Sequence, residues 1–319
     1  MKPICALAMF AAVLVIPPQL RSQTNPFAGR WDITVTPQDN QPYPDWMELV
    51  DKGGKFDVRV QPRAGSVHPV QDVKMEGTRL KLGVSRGVTW ELEVTRAAFN
   101  PSKGSPFSTD QLTGVQKTGD AVTAHIAGVR APALKRAVPK AWTNPEPLLN
   151  GKDLTGWEPF PAGAANNWVM EDGVLVNKEH GANLKTTRKF DDFKLHIEYN
   201  CPEEGNSGIY LRGRDEIQVA YEKPGVNDKF HDMGAIYGFL AAAVELPRKP
   251  GQWESFDVTL VGRYATIIRN GVKTVDNQEI PGISGGALDA NEGEPGPFYL
   301  QGDHTGGMKY RNITVSVPK

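Results

Sequence analysis

Two stretches of this chain carry side chains that can hold or transform a polar ligand. The first is Gly205-Asn206-Ser207-Gly208-Ile209-Tyr210-Leu211-Arg212-Gly213-Arg214-Asp215-Glu216-Ile217-Gln218-Val219-Ala220-Tyr221. Successive side chains of a strand alternate faces, so Ile209 and Leu211 turn toward a core while Tyr210, Arg212 and Arg214 take the other side. The next run repeats the pattern, with Ile217 and Val219 inward and Glu216 and Gln218 outward. An aromatic ring, a guanidinium, a carboxylate and an amide then share one sheet face. Such a face suits a sugar-like ligand, whose hydroxyls need donors and acceptors in fixed directions. The plainer reading is a solvated face on which Arg212 and Glu216 pair across a hairpin for a fraction of a kcal/mol, and alternation alone leaves both open.

The second stretch is Pro297-Phe298-Tyr299-Leu300-Gln301-Gly302-Asp303-His304-Thr305-Gly306-Gly307. Phe298 and Leu300 fit a core, Tyr299 and Gln301 face away, and the strand runs into a glycine-flanked Asp-His pair. An imidazole titrates near neutrality, so His304 can serve as acid or base; a surface histidine that only hydrogen-bonds is the alternative. His180 and His231 also sit in Gly- or Asp-rich loops, while His196 falls mid-strand. The sequence has no H-E-x-x-H, C-x-x-C, G-x-S-x-G, P-loop or dinucleotide fingerprint, which weighs against zinc hydrolase, serine nucleophile and nicotinamide chemistry. No tight cluster of His and carboxylates announces a metal, so the metal question stays open and no cofactor is required.

The elements that position these residues are strands. The 319 residues include 33 Gly and 25 Pro, a surplus of turn formers that favours a β architecture. Lys and Arg number 36 against 37 Asp and Glu, so the basic excess of a nucleic-acid binder is missing. Lys2 and the apolar run Ile4 to Ile16, followed by Pro17 and Pro18, read as a signal peptide over 1–23. Once it is removed no membrane span is expected, and a periplasmic or secreted bacterial location follows. Cys5 and Cys201 are the only cysteines, so the mature chain is expected to have no internal disulfide.

From 24 to 136 about eight alternating runs bounded by turn residues predict an up-and-down antiparallel barrel, and its opening Gly29-Arg30-Trp31 resembles the start of lipocalin-like barrels. Residues 137–147, rich in proline, read as a linker. Over 148–319 about ten short strands predict a jelly-roll β-sandwich, with strands expected at Gly208 to Arg214, Glu216 to Tyr221 and Phe298 to Gly302. Asp172-Gly173 and Asn270-Gly271 mark sharp hairpins, and Val226 to Pro250 is a poorly patterned insert of the kind that covers a binding face.

The second half resembles the 3-keto-disaccharide hydrolase family in the order and wording of many short motifs. They include Leu149-Asn150-Gly151-Lys152-Asp153-Leu154-Thr155-Gly156-Trp157, Asn206-Ser207-Gly208-Ile209-Tyr210-Leu211-Arg212-Gly213 and Glu216-Ile217-Gln218-Val219. Gly234-Ala235-Ile236-Tyr237-Gly238, Trp253-Glu254-Ser255-Phe256-Asp257 and Leu300-Gln301-Gly302-Asp303-His304 continue the series. The resemblance runs from about Leu148 to Val317 and leaves the N-terminal half out. It implies a concanavalin A-like or laminin-G-like sandwich in an exported enzyme acting on oxidised glycosides. Arg212, Glu216, Gln218, Tyr237, Gln301 and His304 stand at its motif positions, and Tyr210, Asp303 and Asn206 in the same segments are further expected substrate contacts. The Ala-rich run Phe239 to Val244 and the long segment from Tyr221 to Gly234 depart from the pattern and put selectivity in doubt.

The chemistry so implied is an elimination. A carbonyl at sugar carbon 3 acidifies the hydrogen at carbon 2, a base removes it, the glycosidic oxygen leaves carbon 1, and water adds back. This needs a base, a donor to the enolate oxygen and an acid for the leaving group, rather than the paired carboxylates of ordinary glycosidases. Glu216 or His304 is the expected base, Arg212 the enolate donor, Tyr237 the acid, and Gln218 with Gln301 the hydroxyl contacts, a divalent cation being the alternative to Arg212. The rival expectation is a non-catalytic carbohydrate-binding protein on the same fold. In a third, the barrel docks a partner or polysaccharide.

Overall fold

The computed structural model describes residues 25–38, 41–63, 65–95, 110–223, 225–226 and 228–319. The expected signal segment lies outside the described residues. Every regular element among them is a strand, and no helix is long and apolar enough to cross a membrane. The all-β expectation holds.

The first half folds as β1 (Gly29–Pro37), β2 (Tyr43–Asp51), β3 (Phe56–Gln61), β4 (His68–Pro69), β5 (Val73–Glu76), β6 (Arg79–Ser85), β7 (Val88–Thr95), β8 (Gln111–Thr118) and β9 (Ala121–Arg130). Their order in one nine-stranded sheet is β4-β3-β2-β1-β9-β8-β7-β6-β5, an up-and-down succession joined where β1 meets β9. The sheet curls until its two ends meet. His68 Nε2 bonds Val84 O at 2.8 Å across the seam, and the chain passing from β4 to β5 stays tied to both flanks, Val70 donating to Val58 O at 2.8 Å and Gly83 to Asp72 O at 2.9 Å. Trp31, Ile33, Leu49, Leu82, Trp90 and Leu92 fill the interior, as the period-2 pattern requires.

The second half contributes β10 (Glu146–Pro147), β11 (Trp157–Phe160), β12 (Trp168–Glu171), β13 (Val174–Asn177), β14 (Asn183–Thr186), β15 (Phe193–Asn200), β16 (Asn206–Leu211) and β17 (Asp215–Ala220). It continues with β18 (Trp253–Val261), β19 (Tyr264–Arg269), β20 (Val272–Glu279), β21 (Tyr299–Leu300) and β22 (Lys309–Ser316). A five-stranded sheet, β11-β14-β21-β16-β17, packs on an eight-stranded one, β12-β13-β22-β15-β18-β19-β20 with β10 beside β22. Leu195, Ile197 and Tyr199 of the larger sheet share one core with Ile209, Leu211, Ile217 and Val219 of the smaller. At Asp172-Gly173 and Asn270-Gly271 both residues have positive φ, the geometry that reverses a twisted hairpin in two residues.

Three differences from the sequence reading bear on the site. β16 stops at Leu211, and Arg212-Gly213-Arg214 form the loop to β17, with φ of 53° at Arg212 and 69° at Gly213. β21 is only two residues long. β11 is a strand that alternation does not mark; Pro159 lies within it, and it stands at the edge of its sheet, where a missing backbone donor costs little. The barrel and the sandwich also share packing: Trp46 of β2 belongs to the sandwich core, edge-on to Phe239 at 5.5 Å.

Candidate active site

The outward face of β16, β17 and β21 floors a cavity of about 180 Å³. Tyr210 and Glu216 are directly paired across β16 and β17, as are Tyr210 and Tyr299 across β16 and β21, so antiparallel register puts all three on one face. Gly208 pairs with Gln218 on that same face. Because residue 208 has no side chain, the Glu216 carboxyl lies over the strand there; a Cβ at 208 would collide with it. Tyr210 donates its hydroxyl proton to Glu216 Oε2 at 2.8 Å, and its ring packs on Tyr299 at 4.4 Å.

Tyr237 arrives from the insert after β17. Gly234 donates to Gln218 O at 2.8 Å, Gln218 donates to Ala235 O at 2.9 Å, and Tyr237 donates to Glu216 O at 2.9 Å. The insert therefore runs along the free edge of β17 as a short bridging strand and sets Tyr237 beside Glu216. Past β21 the chain turns through Asp303 and His304, where Asn183 Oδ1 accepts the backbone N–H of Gly302 at 2.7 Å and of Asp303 at 3.2 Å. His304 Nδ1 then donates to Asp303 Oδ1 at 2.8 Å. Asn206 donates to Glu222 Oε1 at 2.7 Å on the far wall.

Electrostatics divide the titratable groups. Burial pushes the Glu216 carboxyl up to about 7, against a partial opposing effect of the Tyr210 hydrogen bond and the His304 charge. His304 is held above its ordinary value, first by its hydrogen bond to Asp303, and Asp303 lies below the usual carboxylate range through its bonds to His304 and Asn183 despite burial. Burial raises the phenols of Tyr210, Tyr237 and Tyr299, so all three are donors at neutral pH. Near pH 7 the cavity thus offers a carboxylate that takes a proton readily and an imidazole biased toward its charged, donating form. Gln218 and Gln301 supply amides, and Gln301 Oε1 is buried without a hydrogen-bond partner.

Glu216, His304, Tyr237, Tyr210, Gln218, Gln301, Asp303 and Asn206 all line this cavity. Arg212 does not. Alternation assigns it to the face of Tyr210 only if the strand continues, and the strand has already turned. Its guanidinium is buried on another side of the sheet, donating to Gly262 O at 2.8 Å and lying 3.7 Å from both Asp191 and Asp215. That placement takes it away from any enolate in the cavity. Arg214 likewise pairs with Asp289 at 2.7 Å. The cavity also includes Tyr299, Glu222, Gly65, Gly285 and Gly286. Alternation already turned Tyr299 outward, whereas Glu222 follows the end of β17 and the glycines come from distant loops with no local signal. Among the described residues no group of three or more His, Cys, Asp or Glu side chains gathers as a metal-binding set.

Against known proteins, the family match falls in the second half. One solved candidate glycosyl hydrolase from Parabacteroides distasonis is 28% identical over 57% of this chain and 92% of its own, with a TM-score of 0.45. Another from the same organism is 21% identical over 55% of this chain and 92% of its own, with a TM-score of 0.46. No curated protein matches the sequence. Residues 144–316, which hold every strand of the sandwich and all but Gly65 of the cavity lining, match the 3-keto-α-glucoside-1,2-lyase-like domain, and the chain belongs to that family.

Proposed function

We propose that this protein cleaves 3-keto-glycosides or 3-keto-disaccharides by proton abstraction at C2, elimination at C1 and hydration. The observation that carries the reading is the desolvated Glu216 carboxyl, at about 7, on the cavity floor beside the Asp303–His304 pair. Glu216 takes the C2 proton; a base poised near the working pH accepts it without holding it too tightly. With Arg212 elsewhere, the His304 imidazolium donates to the enolate oxygen and Asp303 stabilises its charge. Tyr237 protonates the departing oxygen, while Gln218, Gln301, Tyr210 and Asn206 fix the ring hydroxyls. Water then adds at C1 and gives up a proton to solvent, which balances the one that restores Tyr237, while Glu216 returns its proton to C2.

The test is release of sugar from a 3-keto-glucoside, with the unoxidised glucoside as control. The oxidised compound should be cleaved and the control left intact, since only the ketone acidifies C2. Glu216→Gln should lower kcat by about 10²-fold or more. Binding of keto-sugar without turnover would make the protein a carbohydrate-binding module instead. We further propose export to the periplasm or beyond, on the strength of the Ile4 to Ile16 run. N-terminal sequencing of the exported form tests it: a start near residue 24 is expected, and an intact Met1 would overturn it.

A further inference from the structure

Gly65 and Ser66 belong to the barrel, in the connection from β3 to β4, yet they sit against the sandwich site. Gln61 holds this connection, donating from Nε2 to Pro62 O and to Gly65 O, each at 2.7 Å. Ser66 Oγ is hydrogen-bonded to His231 Nε2, and the Ser66 side chain also acts on the Tyr237 phenol, partly opposing the burial that raises it. His231 Nδ1 meets Asp228 Oδ1 at 2.7 Å, and the imidazole stands edge-on to the Tyr237 ring at 4.7 Å. Asp228 Oδ1 also accepts the Phe230 N–H at 2.8 Å, which fixes the turn carrying both residues. A file of polar groups therefore runs from the exposed Asp228 carboxylate through His231 to Ser66, beside Tyr237 in the cavity wall.

We propose that Asp228, His231 and Ser66 form a proton relay that orients the Tyr237 hydroxyl and restores the proton it gives to the leaving group; this rests on the reading of Tyr237 as the acid. In the imidazolium form His231 donates at both nitrogens, to Asp228 and to Ser66 Oγ. Ser66 then donates to the Tyr237 oxygen, which leaves the phenolic proton aimed into the cavity. As the C1–O bond breaks, its electron pair goes to the glycosidic oxygen, which takes the Tyr237 proton. The phenolate takes the Ser66 proton, Ser66 takes one from His231 Nε2, and the neutral imidazole regains a proton from solvent. Ser66 and His231 are positioning residues, since neither touches the substrate. The barrel is thereby part of the catalytic unit although the family resemblance leaves it out.

The experiment compares an alkyl 3-keto-glucoside, whose alkoxide needs a proton to leave, with a nitrophenyl 3-keto-glucoside, whose phenolate does not. Ser66→Ala and His231→Gln should each lower kcat on the alkyl substrate by about 10-fold or more and on the nitrophenyl substrate by less than about 3-fold, and Ser66→Thr should restore the alkyl rate. Equal losses on both substrates would reduce the segment to a structural wall, and no loss on either would remove the relay altogether; both overturn the proposal. Failure of the unmodified protein to cleave either keto-glucoside would strike the elimination reading itself, so the two failures are told apart.

Discussion

A carboxyl that is useful as a base near neutrality is a burden on the folded state, and Glu216 illustrates the exchange. Its folded value of about 7 exceeds the ordinary 4.5, so the folded chain holds a proton over that interval that the unfolded chain has lost. Stability must fall as pH rises from 4.5 to about 7, by about 3 kcal/mol for this group alone. His304, also raised, contributes stability that is present below its ordinary 6.5 and lost as pH climbs through its folded value, which is a slope of the same sign. Glu216→Gln should therefore melt higher than the parent at pH 8, lose most of the slope between pH 4.5 and 7, and be inactive; an unchanged melting profile in calorimetry would refute the burial argument. Under the proposed elimination, the rate should follow the same two groups. kcat/KM should rise as Glu216 loses its proton and fall as His304 loses its own, giving a bell near neutrality whose limbs belong to the pair. His304→Gln should keep the rising limb and abolish the falling one.

At the scale of elements, the site depends on which strand positions carry bulk and which do not. Gly208 leaves the space that the Glu216 carboxyl occupies, so Gly208→Ala should swing that carboxyl off the floor while β16 and β17 stay paired. An expected loss of about 10-fold or more in kcat/KM, with the fold intact by circular dichroism, checks this. Retained activity would mean that the carboxyl position is not essential. The same register explains what could be read in advance. Tyr210, Glu216, Gln218, Tyr299 and Gln301 follow from period-2 alternation, because a strand fixes the face of each residue by its parity alone. Arg212 fails by the same rule: parity ends where the chain turns, and a positive φ at an arginine is not announced by its neighbours. Tyr237 was legible only through the family motif, since the insert that carries it has no period until it lies along the edge of β17. Gly65 and Ser66 were not legible at all, for their role arises from contact between segments more than 150 residues apart, as between Ser66 and His231.

For the whole molecule, the question is whether barrel and sandwich act as one body. Trp46 is a barrel residue by sequence but a sandwich residue by packing, fully buried against Phe239 and Gly282. Arg30 of β1 reaches Glu279 at the end of β20 at 2.5 Å, and Arg263 Nε donates at 2.9 Å to Pro132 O in the chain that leaves β9. Apolar packing across the seam is the stronger tie, because the Arg30 pair is partly solvated. Removing the indole leaves a void between two surfaces that cannot collapse independently, so Trp46→Ala should cost about 3–5 kcal/mol. The parent should unfold in one calorimetric transition, and the variant in two, with the barrel separating from the sandwich. Activity should fall along with stability, because the same seam carries Gly65 to the cavity and Ser66 to Tyr237. Val129→Ala, on an exposed face of the barrel, should change neither. If Trp46→Ala still melted as a single unit with full activity, the barrel would be a passenger, and its contribution to the cavity wall would have to come from the 62–67 connection alone.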